Sequence, residues 1–490
     1  MEVKLKNIGI VKDSSILVKG LTVVTGKNNS GKTTVGKTLY SVLDAVSNLQ
    51  AKARNDRAKY IADCLDGIVN VMDTFRFFSF SYDRENIEGD VDNPLFGYPS
   101  LKALFWGNYR ADASFDEIER FAHLVYDELR SIDVVQISKD KAMQRHLYRY
   151  VNKAQGQSSI EELIFQQCKK ACDILEDLFA MLNKDPQLID YARESINQTL
   201  RVEFSNQIQP VSISAESSFV EITNDGTPCF SFAIANNRVV NDGIPVFVSS
   251  PYKRVFLIDN PFLLDSGSMF RRFIKRYSPG ETEGILNVGR IMPHEEKLKN
   301  VLRRKIQPTI LEQTVINDAL QKVKNQINEV LPGTFEFSSD GEYYVRNGNK
   351  LRISNLATGS KMFSIIKILI EQGQIDASTM LILDEPEAHL HPAWQNRFAE
   401  IIVLLVKELG VNILLTTHSS NFVLALDAFM RKYAIEEKTN FYQTNFLDCG
   451  MVEYTCTNDN IGAIYQDFLE YLSEVKMLRH ECLRNAGDNT

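Results

Sequence analysis

An α/β fold built around a parallel sheet is predicted by three stretches of this chain. The first is the apolar run Leu21–Thr25, followed by Gly26-Lys27-Asn28-Asn29-Ser30-Gly31-Lys32-Thr33 and a helical segment from Thr34 to Val46. The second is Met380-Leu381-Ile382-Leu383, which ends in Asp384-Glu385-Pro386. The third is Val411–Leu415, which ends in Thr416-Thr417-His418-Ser419. Strands of a parallel sheet are buried on both faces and read as continuous apolar runs. Ligands of open α/β sheets sit beyond the carboxyl ends of such strands. The three stretches therefore bring a glycine loop, two carboxylates and an imidazole to one edge of one sheet.

The glycine loop has the P-loop spacing. Gly26 and Gly31 let the backbone N–H groups from Lys27 through Ser30 turn inward around a β-phosphate, with Thr34 just inside the helix. Lys32 reaches the β- and γ-phosphates, and the Thr33 hydroxyl ligates Mg²⁺, so ATP and Mg²⁺ are the expected ligands. At the second strand end, Asp384 is expected to hold the water shell of the Mg²⁺ and Glu385 to polarise the attacking water as general base. Taken alone, that run is also what an ordinary buried strand with a solvated end looks like. His418 is expected to contact the γ-phosphate or orient the water, although a lone histidine is more often structural.

Glu387-Ala388-His389-Leu390-His391-Pro392 directly after Asp384-Glu385-Pro386, followed later by Thr417-His418-Ser419, resembles the ABC-type ATPase heads of the Rad50, RecF and overcoming-lysogenization-defect group. Within that group the chain is most similar to the stand-alone ATPases of bacterial antiphage systems such as PARIS and Septu. The resemblance covers about residues 1–48 and 335–430. It implies a head-to-tail homodimer, or a larger homo-oligomer, in which a signature loop of one copy caps the γ-phosphate held by the other. That loop maps onto Asn355-Leu356-Ala357-Thr358-Gly359-Ser360-Lys361; Ala357 stands where the group has serine, leaving Thr358 beside Gly359 to supply the hydroxyl. The resemblance also implies a glutamine that senses Mg²⁺. No position stands out for it, and Gln207 is taken as the candidate.

Taken in order, residues 1–50 form the first part of the head and 51–200 an inserted helical domain, with helical segments near 57–75, 115–132, 139–152, 159–183 and 187–200. No sustained heptad is visible there, which argues against the long arms of repair clamps. The aromatic run Phe75 to Tyr82 reads as core or as a ligand-stacking surface. Residues 201–258 are β-rich, with strands expected at Arg201–Phe204, Phe219–Ile222, Phe230–Ile234 and Arg254–Ile258, all assigned to an antiparallel part of the head. Residues 259–334 form a helical connector, 335–456 the second part of the head, and 457–490 an amphipathic C-terminal helix expected to pack on it.

With 490 residues, two or three domains are expected. The net charge of −8 disfavours a surface-wide footprint for DNA. Between Lys253 and Lys305, however, twelve Lys or Arg stand against six Asp or Glu, which reads as a groove for nucleic acid or an acidic partner, or as a solvated helix face. Direct nucleic-acid binding is thus left open. The seven cysteines are scattered without a metal-binding pattern and read as reduced thiols. No signal peptide is visible and no apolar run approaches the roughly 18 residues of a membrane span, so a cytoplasmic location and no membrane partner are expected.

The function that follows is an ATP-binding and hydrolysing sensor or scaffold in antiphage defence, controlling a separate nuclease effector in response to a phage-encoded trigger. That job is implied by the resemblance. The alternatives are a RecF- or Rad50-like repair ATPase on DNA ends or gaps, and a scaffold that binds ATP without turnover. Two-metal nucleases need several converging carboxylates. Asp384 and Glu385 are already committed to ATP, and the C-terminal 70 or so residues leave no room for a Toprim domain, so no intrinsic nuclease is expected.

Overall fold

The computed structural model describes residues 1–57, 160–182, 187–211, 217–240, 250–265, 293–303, 318–338 and 341–462, together with 134–139, 464–466, 473–479 and a few positions between 60 and 130. It divides into two units: Met1–Leu49 with Ile189–Glu281 and Ile291–Thr490, and Gln50–Leu188 with Thr282–Arg290. In chain order the strands and the helices longer than one or two turns are β1 (Glu2–Ile8), β2 (Val11–Leu17), β3 (Leu21–Thr25), α1 (Lys32–Val46), α2 (Ile160–Leu182) and α3 (Leu188–Glu203). Then come β4 (Ser218–Asn224), β5 (Thr227–Ala235), β6 (Arg238–Val240), β7 (Arg254–Ile258), α4 (His294–Leu302) and α5 (Asp318–Val330). The remainder is β8 (Thr334–Phe337), β9 (Glu342–Arg346), β10 (Asn349–Arg352), α6 (Thr358–Glu371), β11 (Thr379–Asp384), α7 (Pro392–Leu409), β12 (Asn412–Thr417), α8 (Ser420–Lys432), β13 (Thr439–Phe446) and β14 (Val452–Cys456).

The first unit holds one eleven-stranded sheet in the order β6-β5-β4-β1-β2-β14-β13-β3-β12-β11-β7. Its two halves differ in chemistry. β3 is buried along its whole length and β11 and β12 nearly so. With β13 and β7 they pair in parallel, as doubly covered apolar strands do. β1 and β2 alternate buried and exposed positions and pair antiparallel, as do β1 with β4 and β4 with β5. A three-stranded antiparallel sheet, β8-β9-β10, stands apart, its second turn made by Asn347 and Gly348, both at positive φ.

Successive side chains of a strand point to opposite faces, and that alternation divides the core in two. Leu21, Val23, Leu381, Leu383, Ile413 and Leu415 face α6, α7 and α8. Val24, Met380, Ile382 and Leu414 face α1 and α3. α1 lies close over β11, because a Cβ at Gly36 would sit 3.1 Å from Ile382 Cγ2. This packing fixes the helix that begins at the glycine loop directly above the strand that ends in Asp384. Truncating a fully buried contact such as Leu39 costs about 2–5 kcal/mol.

In the second unit, α2 buries Ile164, Cys168, Ala171, Leu175 and Leu178 at helical spacing against Ile61, Ala122 and Leu129. Arg57 donates to the last carbonyls of α2, 2.9 Å from Leu182 O, which satisfies a helix C-terminus. The aromatic run from Phe75 to Tyr82, most of the basic segment between 266 and 292, and the helices expected within 68–118 and 140–159 lie outside the described residues.

Three sequence expectations are corrected. Arg201–Phe204 alternates like a strand, but Arg201–Glu203 completes α3, whose Ala192, Ile196 and Leu200 are buried in the core of the first unit, so the head resumes at Ile189 rather than after residue 200. Arg254–Ile258 is not antiparallel; it is the parallel edge strand β7, paired with β11. The C-terminal segment packs through Ile464, while Val475, Met477 and Leu478 are exposed.

Candidate active site

The loop between β3 and α1 is shaped by close contacts that only glycine permits. Gly26 sits at φ +155°, where a Cβ would lie 1.7 Å from Thr444 Oγ1, and that hydroxyl donates to Ser30 Oγ at 2.7 Å. Gly31 is left-handed at φ 72° and precedes α1 without a side-chain cap, so the helix N-terminus presents its N–H groups and partial positive charge to a ligand. The buried Tyr454 hydroxyl donates to Gly31 O at 2.7 Å; burial pushes its pKa up, which keeps it protonated and donating. Lys32, 4% exposed, points its ammonium back along the loop, 3.0 Å from Gly26 O and 2.7 Å from Lys27 O.

Across the sheet edge, Asp384 accepts from Thr33 Oγ1 at 2.7 Å and from Thr416 Oγ1. Burial is the largest influence on its carboxyl and raises its pKa, the two hydroxyls pull it down, and the charges of Glu385 and Asp259 raise it further. Glu385 leaves the strand at φ 48°, a strained conformation for a residue with a side chain, held by its N–H on Thr416 O at 3.0 Å. That turn aims the carboxylate between an ammonium and an imidazole: Oε1 is 3.4 Å from Lys32 Nζ and Oε2 is 3.1 Å from His418 Nδ1. Behind them Glu387 is 1% exposed; its Oε1 accepts from Thr417 Oγ1, and burial pushes its pKa up to about 7.

These groups open on a cavity of about 770 Å³ lined by Ile10, Asn28, Asn29, Ser30, Gly31, Lys32, Thr33, Thr34, Asp259, Pro261, Asp384, Glu385, Ala388 and His389. Its size is that of a small-molecule site. Gly26 and Lys27 lie behind it and bind Lys32 through their carbonyls, and His418 reaches it through Glu385. The donor set facing the cavity, a Thr33 hydroxyl and an Asp384 carboxylate, consists of hard oxygens and fits a hard divalent cation such as Mg²⁺.

Thr358 and Gly359 are not brought to this cavity within the chain. They open α6, where a Cβ on Gly359 would lie 3.2 Å from His389 O, so Gly359 is also a packing residue. Gln207 is exposed in the turn after α3, its N–H on Phe204 O, and does not line the cavity; as the candidate glutamine it is corrected. The residue that does face the cavity from a neighbouring strand end is Asp259. Thr416 and Glu387 were likewise not singled out by sequence reading. Of the basic segment, Arg254, Lys297 and Arg303 are paired with Asp376, Asp44 and Glu342. The six described cysteines are all free thiols, and among the described residues no helix is long and apolar enough to cross a membrane.

Among solved structures, the chain is similar to the SMC head domain from Thermotoga maritima, at 9% identity and TM-score 0.34 over 93% of this chain and 97% of that one. A second is an SMC head bound to the C-terminal winged-helix domain of ScpA, at 12% identity and TM-score 0.34 over 93% and 96%. A third is the SMC head with a coiled coil and joint from Pyrococcus yayanosii, at 12% and 0.33 over 97% and 99%. No curated protein matches the chain. The AAA ATPase domain model, by contrast, matches residues 1–423, a span that contains the glycine loop, Asp384, Glu385 and His418, and the chain belongs to that ATPase family.

Proposed function

We propose that this ATPase binds Mg²⁺·ATP in the cavity beside Lys32 and hydrolyses it with Glu385 as general base. The observation that carries the reading is the line of contacts Lys32–Glu385–His418, in which one carboxylate facing the cavity is held between an ammonium and an imidazole. Lys32 exchanges its loop carbonyls for the β- and γ-phosphates. Thr33 and Asp384 hold the ion, which when bound neutralises phosphate charge. Glu385 takes a proton from the attacking water, and His418 fixes the direction of the Glu385 carboxylate. Asn28, Asn29, Ser30 and Gly31 offer backbone N–H groups to the phosphates.

The half-exposed start of α6 supports a site shared by two copies. Thr358 and Gly359 lie outside the cavity of their own chain and at a helix N-terminus, the end that attracts anions. Thr358→Glu tests this with little risk to the fold, because an acidic residue in the first turn favours the helix while repelling a γ-phosphate. The variant is expected to bind ATP and fail to turn it over. Mixing it with Lys32→Ala should restore activity through the one intact hybrid site, and no rescue in mixed dimers shown to form would remove the shared site.

In the cell we assign the ATPase to antiphage defence, as the subunit that holds a separate nuclease effector until a phage-encoded trigger arrives. The motif resemblance supports this assignment, and the carboxylates that follow β7 and β11, Asp259, Asp384 and Glu385, all line the nucleotide cavity. Copurification with the product of the neighbouring gene tests it, together with incubation of the pure chain with plasmid DNA, tRNA, ATP, Mg²⁺ and Mn²⁺. Cleavage that persists in Lys32→Ala would place a nuclease in this chain. ATP-dependent binding to DNA ends without any effector would favour the repair reading.

A further inference from the structure

Asp259, Glu203 and His294 come from three separate segments: the end of β7, the end of α3 and the start of α4. Leu383 pairs with Ile258 in the parallel ladder, so the next residues, Asp384 and Asp259, leave neighbouring strand ends side by side, and both line the nucleotide cavity. Two carboxylates placed together repel, and such an arrangement persists only where something holds the second one. Here His294 does so, with Nε2 2.9 Å from Asp259 Oδ1 and Nδ1 2.6 Å from Glu203 Oε2. Carboxylates face both ring nitrogens, so the ring serves both as a donor only when each nitrogen carries a proton. Glu203 is fixed in turn, since its Oε1 accepts the backbone N–H of His294, 3.0 Å away, at the first turn of α4. Glu203 and His294 are 5% and 8% exposed, and Lys37 of α1 donates to the Glu203 carbonyl. The chain has thus built a rigid, buried support whose outermost member is a carboxylate in the cavity.

We propose that Asp259 is a further binding residue of the nucleotide site, accepting hydrogen bonds from the water shell of the divalent cation beside Asp384, and that His294 and Glu203 are the positioning residues that hold it there. This rests on the reading of the cavity as a Mg²⁺·ATP site. Carboxylates that contact a metal or its waters are themselves held by hydrogen-bonded partners, and loss of such a partner weakens metal affinity about 10–100-fold. The support is an ionic triad with two of its members buried, and hydrophobic residues of similar size at such positions are often no less stable. A role in the cavity accounts for its presence.

The test is a Mn²⁺ titration of the full chain with a non-hydrolysable ATP analogue, read by the electron paramagnetic resonance of free Mn²⁺. Asp259→Asn is expected to raise the Mn²⁺ concentration for half-saturation about tenfold or more, and His294→Gln to raise it in the same direction, with both variants shown to be folded by thermal melting. If Asp259→Asn does not fold, His294→Gln decides alone. Wild-type Mn²⁺ affinity in a folded variant overturns the inference. So does Mn²⁺ bound tightly without nucleotide and lost in His294→Gln, which would make Asp259, His294 and Glu295 a separate metal site. Lys32→Ala keeps the two readings apart. If it loses the analogue while Asp259→Asn keeps normal Mn²⁺ affinity, only the role of Asp259 fails; if Lys32→Ala retains the analogue, the cavity itself is misassigned.

Discussion

Asp384 stands between two neighbours, and the two flanks of its strand are built on opposite principles. On the β12 side, His418 is 42% exposed and its Nδ1 lies 3.1 Å from Glu385 Oε2. On the β7 side, Asp259 is backed by the buried His294 and, behind it, the buried Glu203, residues far from it in sequence. The exposed flank is held by a single side-chain contact open to solvent, which costs little to maintain. The buried flank is rigid, and its parts have meaning only once the sheet has formed. One flank is therefore suited to chemistry and the other to holding geometry.

The largest expected effect lies on the exposed flank. Glu385→Gln keeps the shape of the side chain and removes the base, so turnover should fall about 10²- to 10⁴-fold while ATP stays bound. Single-turnover hydrolysis alongside a binding titration measures both halves. Normal hydrolysis in this variant would move the base elsewhere and dissolve the division between the flanks.

That division also explains what could be read in advance. Lys32, Asp384, Glu385 and His418 sit within short apolar-then-polar runs, because a buried strand emerging at a ligand edge has that composition and no other. Arg254–Ile258 followed by Asp259 carries the same signature as Met380–Leu383 followed by Asp384, so Asp259 was legible in principle once β7 was placed beside β11. His294 and Glu203 were not. Nothing local marks them, and their meaning comes from packing between α3, β7 and α4. Glu203 was hidden twice over, since Val202 and Phe204 around it alternate like a strand although Arg201–Glu203 ends a helix. Gly359, read as part of a signature loop, turned out also to press against the backbone at His389.

On the buried flank the expected loss is in stability. His294→Ala leaves the buried Glu203 carboxylate without its cation and Asp259 without its support, and breaking such a network by removing one partner costs about 3–5 kcal/mol. Urea denaturation of the head is the measurement. A loss under about 1 kcal/mol would mean that water reaches both carboxylates and that the flank is not rigid.

Glu387 lies behind the exposed flank and adds a pH dependence of known sign. Its carboxyl titrates near 4.5 when unfolded and is pushed up to about 7 in the fold, chiefly by burial. A raised carboxyl means that the folded state binds the proton more tightly, so the contribution of Glu387 to stability is largest below pH 4.5, falls as the pH rises through that window and levels off above about 7. At 1.36 kcal/mol per unit the fall attributable to this group is about 3 kcal/mol at most. Glu387→Gln should remove that slope between pH 5 and 7.5 in a series of urea midpoints. An unchanged slope would mean that the Glu387 carboxyl is not the group that titrates across this window.

The smallest effect separates the flanks most directly. His418→Asn keeps a hydrogen-bonding group near Glu385 Oε2 but removes any positive charge, and the position is exposed enough that stability should change by less than about 0.5 kcal/mol. If the imidazole only aims the Glu385 carboxylate, turnover should fall about tenfold, equivalent to about 1.4 kcal/mol in the barrier, with the ATP dissociation constant unchanged. Paired with His294→Ala, this makes a crossed comparison of two histidines beside one carboxylate strand, one acting on rate without stability and the other on stability first. A His418→Asn variant that unfolds early, or a fall of 10³-fold or more, would show that the exposed flank carries structural weight or the base itself, and the contrast between the two sides of Asp384 would have to be redrawn around His418.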